Sequence, residues 1–86
     1  MQSKDFHSFL YALGCNIKVT RRRHGYSQEE LAELLGMHRV SIGYIEQGKQ
    51  APKLSTLHHM ANLFGISVRE LLPEQQADQC DMFQED

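Results

Sequence analysis

Apolar residues recur every three or four positions along most of the chain, and no run alternates apolar with polar at every second position. That period belongs to helices packed on one face and argues against strands. Phe6, Phe9, Leu10, Leu13 and Ile17 form the first such face, which extends toward Arg21 and predicts helix one over about residues 5–24. Gly14 falls inside it as a weak point, or marks a later start. Gly25 ends it, with Arg21, Arg22 and Arg23 placed where cations suit the negative helix end. Ser27 and Glu30 have the spacing of a capping box and open helix two, whose apolar residues are Leu31, Ala32, Leu34 and Leu35. Gly36 stops it. Helix three runs from His38 or Arg39 to Gln47, with Val40 or Ile42, and Ile45, turned inward, and Gly48 closes it. "KQAPK" reads as a loop, because Pro52 cannot continue a helix and holds Ala51 extended. Leu54, Leu57, Met60, Ala61, Leu63 and Phe64 then predict helix four, which Gly65 ends. Ser67 and Glu70 repeat the capping spacing ahead of a short fifth helix, "VRELL", terminated by Pro73.

The break at Gly36 is the informative one. Two helices joined by a three- to four-residue turn containing glycine form a helix-turn-helix, with axes roughly 90–120° apart. The turn needs a positive φ, which a residue with a Cβ resists. Leu31, Ala32, Leu35, Gly36, Met37, Ile42 and Ile45 are the small or apolar set such a unit buries, with Ala32 small enough for a close crossing. The second helix of the motif enters a DNA major groove by its N-terminal end. His38, Arg39, Val40 and, one turn on, Gly43 and Tyr44 then face the bases. Arg39 is the strongest base reader, since a guanidinium fork matches guanine O6 and N7; the plainer reading is a phosphate-bound or solvated arginine. Val40 touches a thymine methyl if it points outward, and Tyr44 reaches a base edge or a phosphate. Ser41 faces either a phosphate or solvent. Lys49 and Lys53 are phosphate contacts or ordinary surface lysines.

Charge supports a polyanionic partner more than the overall balance implies. The 86 residues, enough for one domain with a modest core, carry a net charge of −2. Residues 1–72, however, hold nine Lys or Arg against six acids, a net of +3. Residues 73–86 hold five acids and no Lys or Arg. No window of about 18 apolar residues could span a membrane. The first 14 residues lack the apolar core of a signal peptide, so a cytoplasmic protein is expected.

Candidate chemistry adds little. His7, His24, His38, His58 and His59 include no pair at i, i+4 with a third ligand nearby, so no metal site and no cofactor is expected. No serine or cysteine lies in a strained glycine-rich elbow, which argues against an enzyme. Cys15 and Cys80 lack metal-ligand spacing; they are two reduced thiols or, alternatively, a redox pair joining the domain to its tail.

Residues 13–72, and above all "SQEELAELLG", "IEQGK", the Pro52–Leu54 start of helix four and "ANLFGISVRELL", resemble the DNA-binding domain of the XRE or phage-repressor (Cro-like) helix-turn-helix family. The resemblance implies an all-α, five-helix, lambda-repressor-like domain that acts as a homodimer on a two-fold operator in double-stranded DNA and regulates transcription, most simply as a repressor. It assigns Gln28 and the N–H groups beside it to a phosphate, in keeping with the positive end of a helix. It pairs Glu46 with Arg21 as a partly buried ion pair that sets the angle between helices one and three. The chain departs from the family pattern at Gly43, where a small polar residue is common, and at Thr20, where leucine is usual. On this reading residues 1–12 are a helical N-terminal extension and 73–86 an acidic, flexible tail. Met82 and Phe83 give that tail an apolar anchor, and with it a rival role: an antitoxin or adaptor whose main task is to bind a partner protein.

Overall fold

The computed structural model describes residues 3–73. Among them four α-helices follow in order: α1 (Ser3–Arg23), α2 (Gln28–Leu35), α3 (Arg39–Glu46) and α4 (Leu54–Phe64). The described residues form no strand. A single 3₁₀ turn, Val68–Glu70, replaces the fifth helix that the spacing predicts. The correction has a local cause. Only a few residues separate the Ser67 cap from Pro73, whose ring disfavours helical backbone at Leu72. The turn is held instead by its buried Leu71 and by Asn16, whose side-chain amide donates to the Leu71 carbonyl at 2.9 Å.

The core collects one face of each element: Leu13 and Ile17 of α1, Leu31 and Ala32 of α2, Ile42 and Ile45 of α3, and Leu57, Met60, Ala61 and Phe64 of α4. Burying a side chain the size of Ile17, Leu31 or Met60 is worth about 1.5–3 kcal/mol over leaving it in water. Ile42, not Val40, is the inward residue of α3: Ile42 is fully buried and Val40 is 54% exposed. Leu54 belongs to no core face; it starts α4 and is 75% exposed.

Helix α1 runs unbroken from Ser3 to Arg23, across residues 12 and 13. Gly14 lies inside it and is not a weak point. A Cβ at Gly14 would lie 2.5 Å from the carbonyl oxygens of both Ile45 and Glu46. On the next turn of the crossing, a Cβ at Gly48 would lie 2.8 Å from the Cα of Tyr11. The two glycines let α1 and the end of α3 meet backbone to backbone.

Candidate nucleic-acid interface

The motif between α2 and α3 is built by local bonds that sequence spacing anticipates. The Glu30 N–H donates to Ser27 Oγ at 2.9 Å, and the Ser27 N–H donates to Glu30 Oε1 at 2.8 Å, closing the capping box. At the other end of α2, Gly36 has φ 69°. That left-handed step lets the Gly36 N–H reach the Glu33 carbonyl at 3.2 Å and the Met37 N–H reach the Ala32 carbonyl at 2.9 Å. Two residues later His38 begins the next helix in an extended conformation, without a side-chain cap. Its imidazole is therefore left to solvent at the mouth of α3.

The outer surface of α3 carries most of the residues singled out from the sequence. His38, Arg39 and Lys49 are exposed, as are Val40 (54%) and Tyr44 (46%); Ser41 is half-buried. Lys53 is exposed at the cap of α4. Gly43 is the exception. It is buried, and the reason is a residue from the neighbouring helix: a Cβ there would lie 3.8 Å from both amide atoms of Gln28. Gly43 is thus not an open base-facing position. Gln47, exposed at the C-terminal cap of α3 with its amide nitrogen 4.0 Å from that same point, lies on the same face and was not singled out from sequence. Its position four residues after Gly43 is the signal that places it there.

The inner side of α3 is pinned by charge. Glu46 is 5% exposed and Arg21 6%. Arg21 Nε donates to Glu46 Oε2 at 2.7 Å and Nη2 donates to Oε1 at 3.2 Å, the bidentate geometry that a guanidinium fork favours. Arg21 Nη1 donates to the carbonyl of Tyr26 at 2.8 Å, tying the pair to the α1–α2 turn. Gln28 Nε2 adds a third bond, to Glu46 Oε1 at 3.0 Å. Residues from α1, α2 and α3 therefore converge on one carboxylate. Each buried polar atom of this cluster has a partner, as its low-dielectric surroundings require.

Among the described residues no three His, Cys, Asp or Glu side chains cluster as metal ligands, and no helix is long and apolar enough to cross a membrane. Cys15 is half-buried on α1; Cys80, the acidic tail and its Met82–Phe83 pair lie outside the described residues.

Residues 17–71 match the helix-turn-helix family. The chain is 41% identical over 59 residues to the SPbeta prophage-derived uncharacterized HTH-type transcriptional regulator YonR of Bacillus subtilis (strain 168). That stretch is 69% of the chain and 55% of YonR, so the chain spans about half the length of this relative. It is 40% identical over 60 residues to the control protein C.SmaI of Serratia marcescens, covering 70% of the chain and 71% of C.SmaI. Among solved structures, the restriction-modification controller protein C.AhdI from Aeromonas hydrophila superposes with a TM-score of 0.69 at 33% identity, over 73% of this chain and 96% of that one.

Proposed function

The chain belongs to the XRE-type helix-turn-helix family of DNA-binding transcriptional regulators, and from that premise we propose that it is a repressor that binds a two-fold operator as a homodimer. One observation carries the proposal. The outer face of α3 is open, with Arg39, Val40 and Tyr44 exposed, while its inner face is locked to α1 and α2 through Glu46. A helix held this way is a rigid probe for a groove.

In the proposed complex α3 lies in the major groove. Arg39 reads a guanine, Val40 rests against a thymine methyl, and His38 and Tyr44 reach base edges or the flanking sugar–phosphate chain. Ser41, Lys49, Lys53 and the first N–H groups of α2 hold phosphates, which set register without reading sequence. A helix of this length offers only three or four side chains to the bases, so a second copy on an inverted half-site supplies the remaining specificity. No step is catalysed: occupancy of the operator excludes polymerase.

The test is the salt dependence of binding. Each phosphate neutralised contributes about −0.9 to the slope of log affinity against log salt, so several such phosphates per subunit give a steep line. A flat line contradicts the proposal. Deleting residues 73–86 separates it from the adaptor role: DNA binding that survives the deletion supports regulation by the domain alone.

A further inference from the structure

A groove of about 380 Å³ lies between α1 and the chain that follows the Val68–Glu70 turn. One wall is a single stripe of α1: Ala12, Asn16, Val19, Thr20 and Arg23. Leu72 and Pro73 form the other. Ala12 and Asn16 each stand two residues from Gly14, about 160° around the helix from the point where the end of α3 crosses it. The groove therefore opens away from the recognition helix.

Its polar groups are already engaged within the domain. The Thr20 hydroxyl donates to the Asn16 carbonyl at 2.7 Å, and the Asn16 amide donates to the Leu71 carbonyl at 2.9 Å. The Glu70 carboxylate accepts from the Ser67 N–H in a capping box. What faces an occupant is then largely carbon: the methyls of Ala12 and Thr20, Leu72, Pro73 and Val19, which is 47% exposed. The exposed Arg23 stands at one end. Such a lining fits an apolar side chain flanked by carboxylates.

Residues 74–86 contain a segment of that composition. Met82 and Phe83 are adjacent, with Asp81 before them and Glu85 and Asp86 after, and the whole stretch has no Lys or Arg. It also starts at the groove, because Pro73, the residue before it, is buried in the groove wall. From Pro73 the ten residues to Phe83 reach up to about 33 Å. The α1 wall from Ala12 to Arg23 is only about 16 Å long, so Phe83 can turn back onto any part of it. A tether this short acts as a local concentration in the millimolar range. We propose that the Met82–Phe83 segment docks in this groove of its own chain, with Phe83 against Val19 and Leu72 and the flanking carboxylates at Arg23. Docked there, the acids of residues 74–86 are held on the side of α1 remote from α3, where they do not oppose a polyanion at the recognition helix.

The experiment is nuclear magnetic resonance on the full chain. Phe83 ring protons are expected to show nuclear Overhauser contacts to the methyls of Ala12, Val19 and Leu72. In a mixture of labelled and unlabelled chains these contacts are expected within one molecule only. Phe83→Ala shifts the Val19 and Leu72 methyl signals and leaves those of the core residues Leu31 and Ile42 in place. Thr20→Leu extends a larger side chain into the groove and removes the Phe83 contacts. Arg23→Glu changes an exposed residue, so the fold stays intact, and repulsion of the carboxylates weakens docking by about five-fold. Phe83 without any contact to the groove overturns the inference. So do contacts that survive both Thr20→Leu and Arg23→Glu undiminished, since Phe83 then sits elsewhere. Contacts found only between labelled and unlabelled chains overturn it as well, because the occupant is then a second copy.

Discussion

The two faces of α3 are built on opposite terms, although one short helix supplies both. Toward the domain, Ile42 and Ile45 are in the core, Glu46 is locked to Arg21, and Gly14 brings the α1 backbone against the end of the helix. Toward solvent, Arg39, Val40 and Tyr44 touch little of the domain, and nearly half or more of Val40 and Tyr44 is exposed. The contrast teaches where each kind of substitution registers. Changes on the inner face alter stability because they unpair a buried charge or force backbones apart. Changes on the outer face alter recognition and leave the fold in place.

The largest effect is expected at Glu46. Glu46→Ala strands the Arg21 guanidinium in the core, and breaking a buried pair by removing one partner costs about 3–5 kcal/mol. An exposed pair would cost under about 1 kcal/mol, so a denaturant melt decides which description holds. Gly14→Ala comes next. Its Cβ meets two backbone carbonyls at 2.5 Å, a clash that no rotamer change can relieve, and overpacking of this kind costs about 1–3 kcal/mol. If Gly14→Ala melts at or above wild type, the close crossing of α1 and α3 is wrong.

On the outer face, replacing Lys49 and Lys53 by alanine is expected to leave the melt unchanged and to flatten the salt slope by about 0.9 for each phosphate that is no longer neutralised. An unchanged slope makes them ordinary surface lysines. The smallest effect sharpens the comparison by reversing its sign. At Gly43 a Cβ would sit at an ordinary 3.8 Å from its neighbours, so Gly43→Ala is expected to stabilise the domain by up to about 1 kcal/mol, or roughly 4–8 °C in Tm. Two helical glycines on one unit thus give opposite shifts, because one faces backbone and the other a flexible amide.

Much of this arrangement is legible in the sequence where the determinants are local. The Ser27–Glu30 cap and the glycine stop at residue 36 follow from hydrogen bonds within a few residues, and spacing alone reveals them. Periodicity likewise places Ile45 inward, and the core positions of α1, α2 and α4 with few exceptions. What the sequence hides is contact between distant residues. Helix propensity reads Gly14 as a defect; only the crossing with residues 45 and 46 makes it a requirement. The same holds for Gly43, which reads as an open site until Gln28, 15 positions earlier, is found to cover it. The fifth helix failed for a simpler reason: a capping pattern states where a helix could begin, while Pro73 leaves it no length to form.

The most direct test of the division between faces is a paired selection from a random duplex pool, using wild type and Arg39→Ala at near-physiological salt. The account predicts that wild type enriches two inverted half-sites spaced by about 10 base pairs or a multiple. Arg39→Ala then loses the preference for guanine at one position in each half-site, a discrimination of about 1–3 kcal/mol, and melts like wild type. If Arg39→Ala selects the same sequences as wild type, or loses its fold along with its binding, the outer face of α3 is not the reading surface.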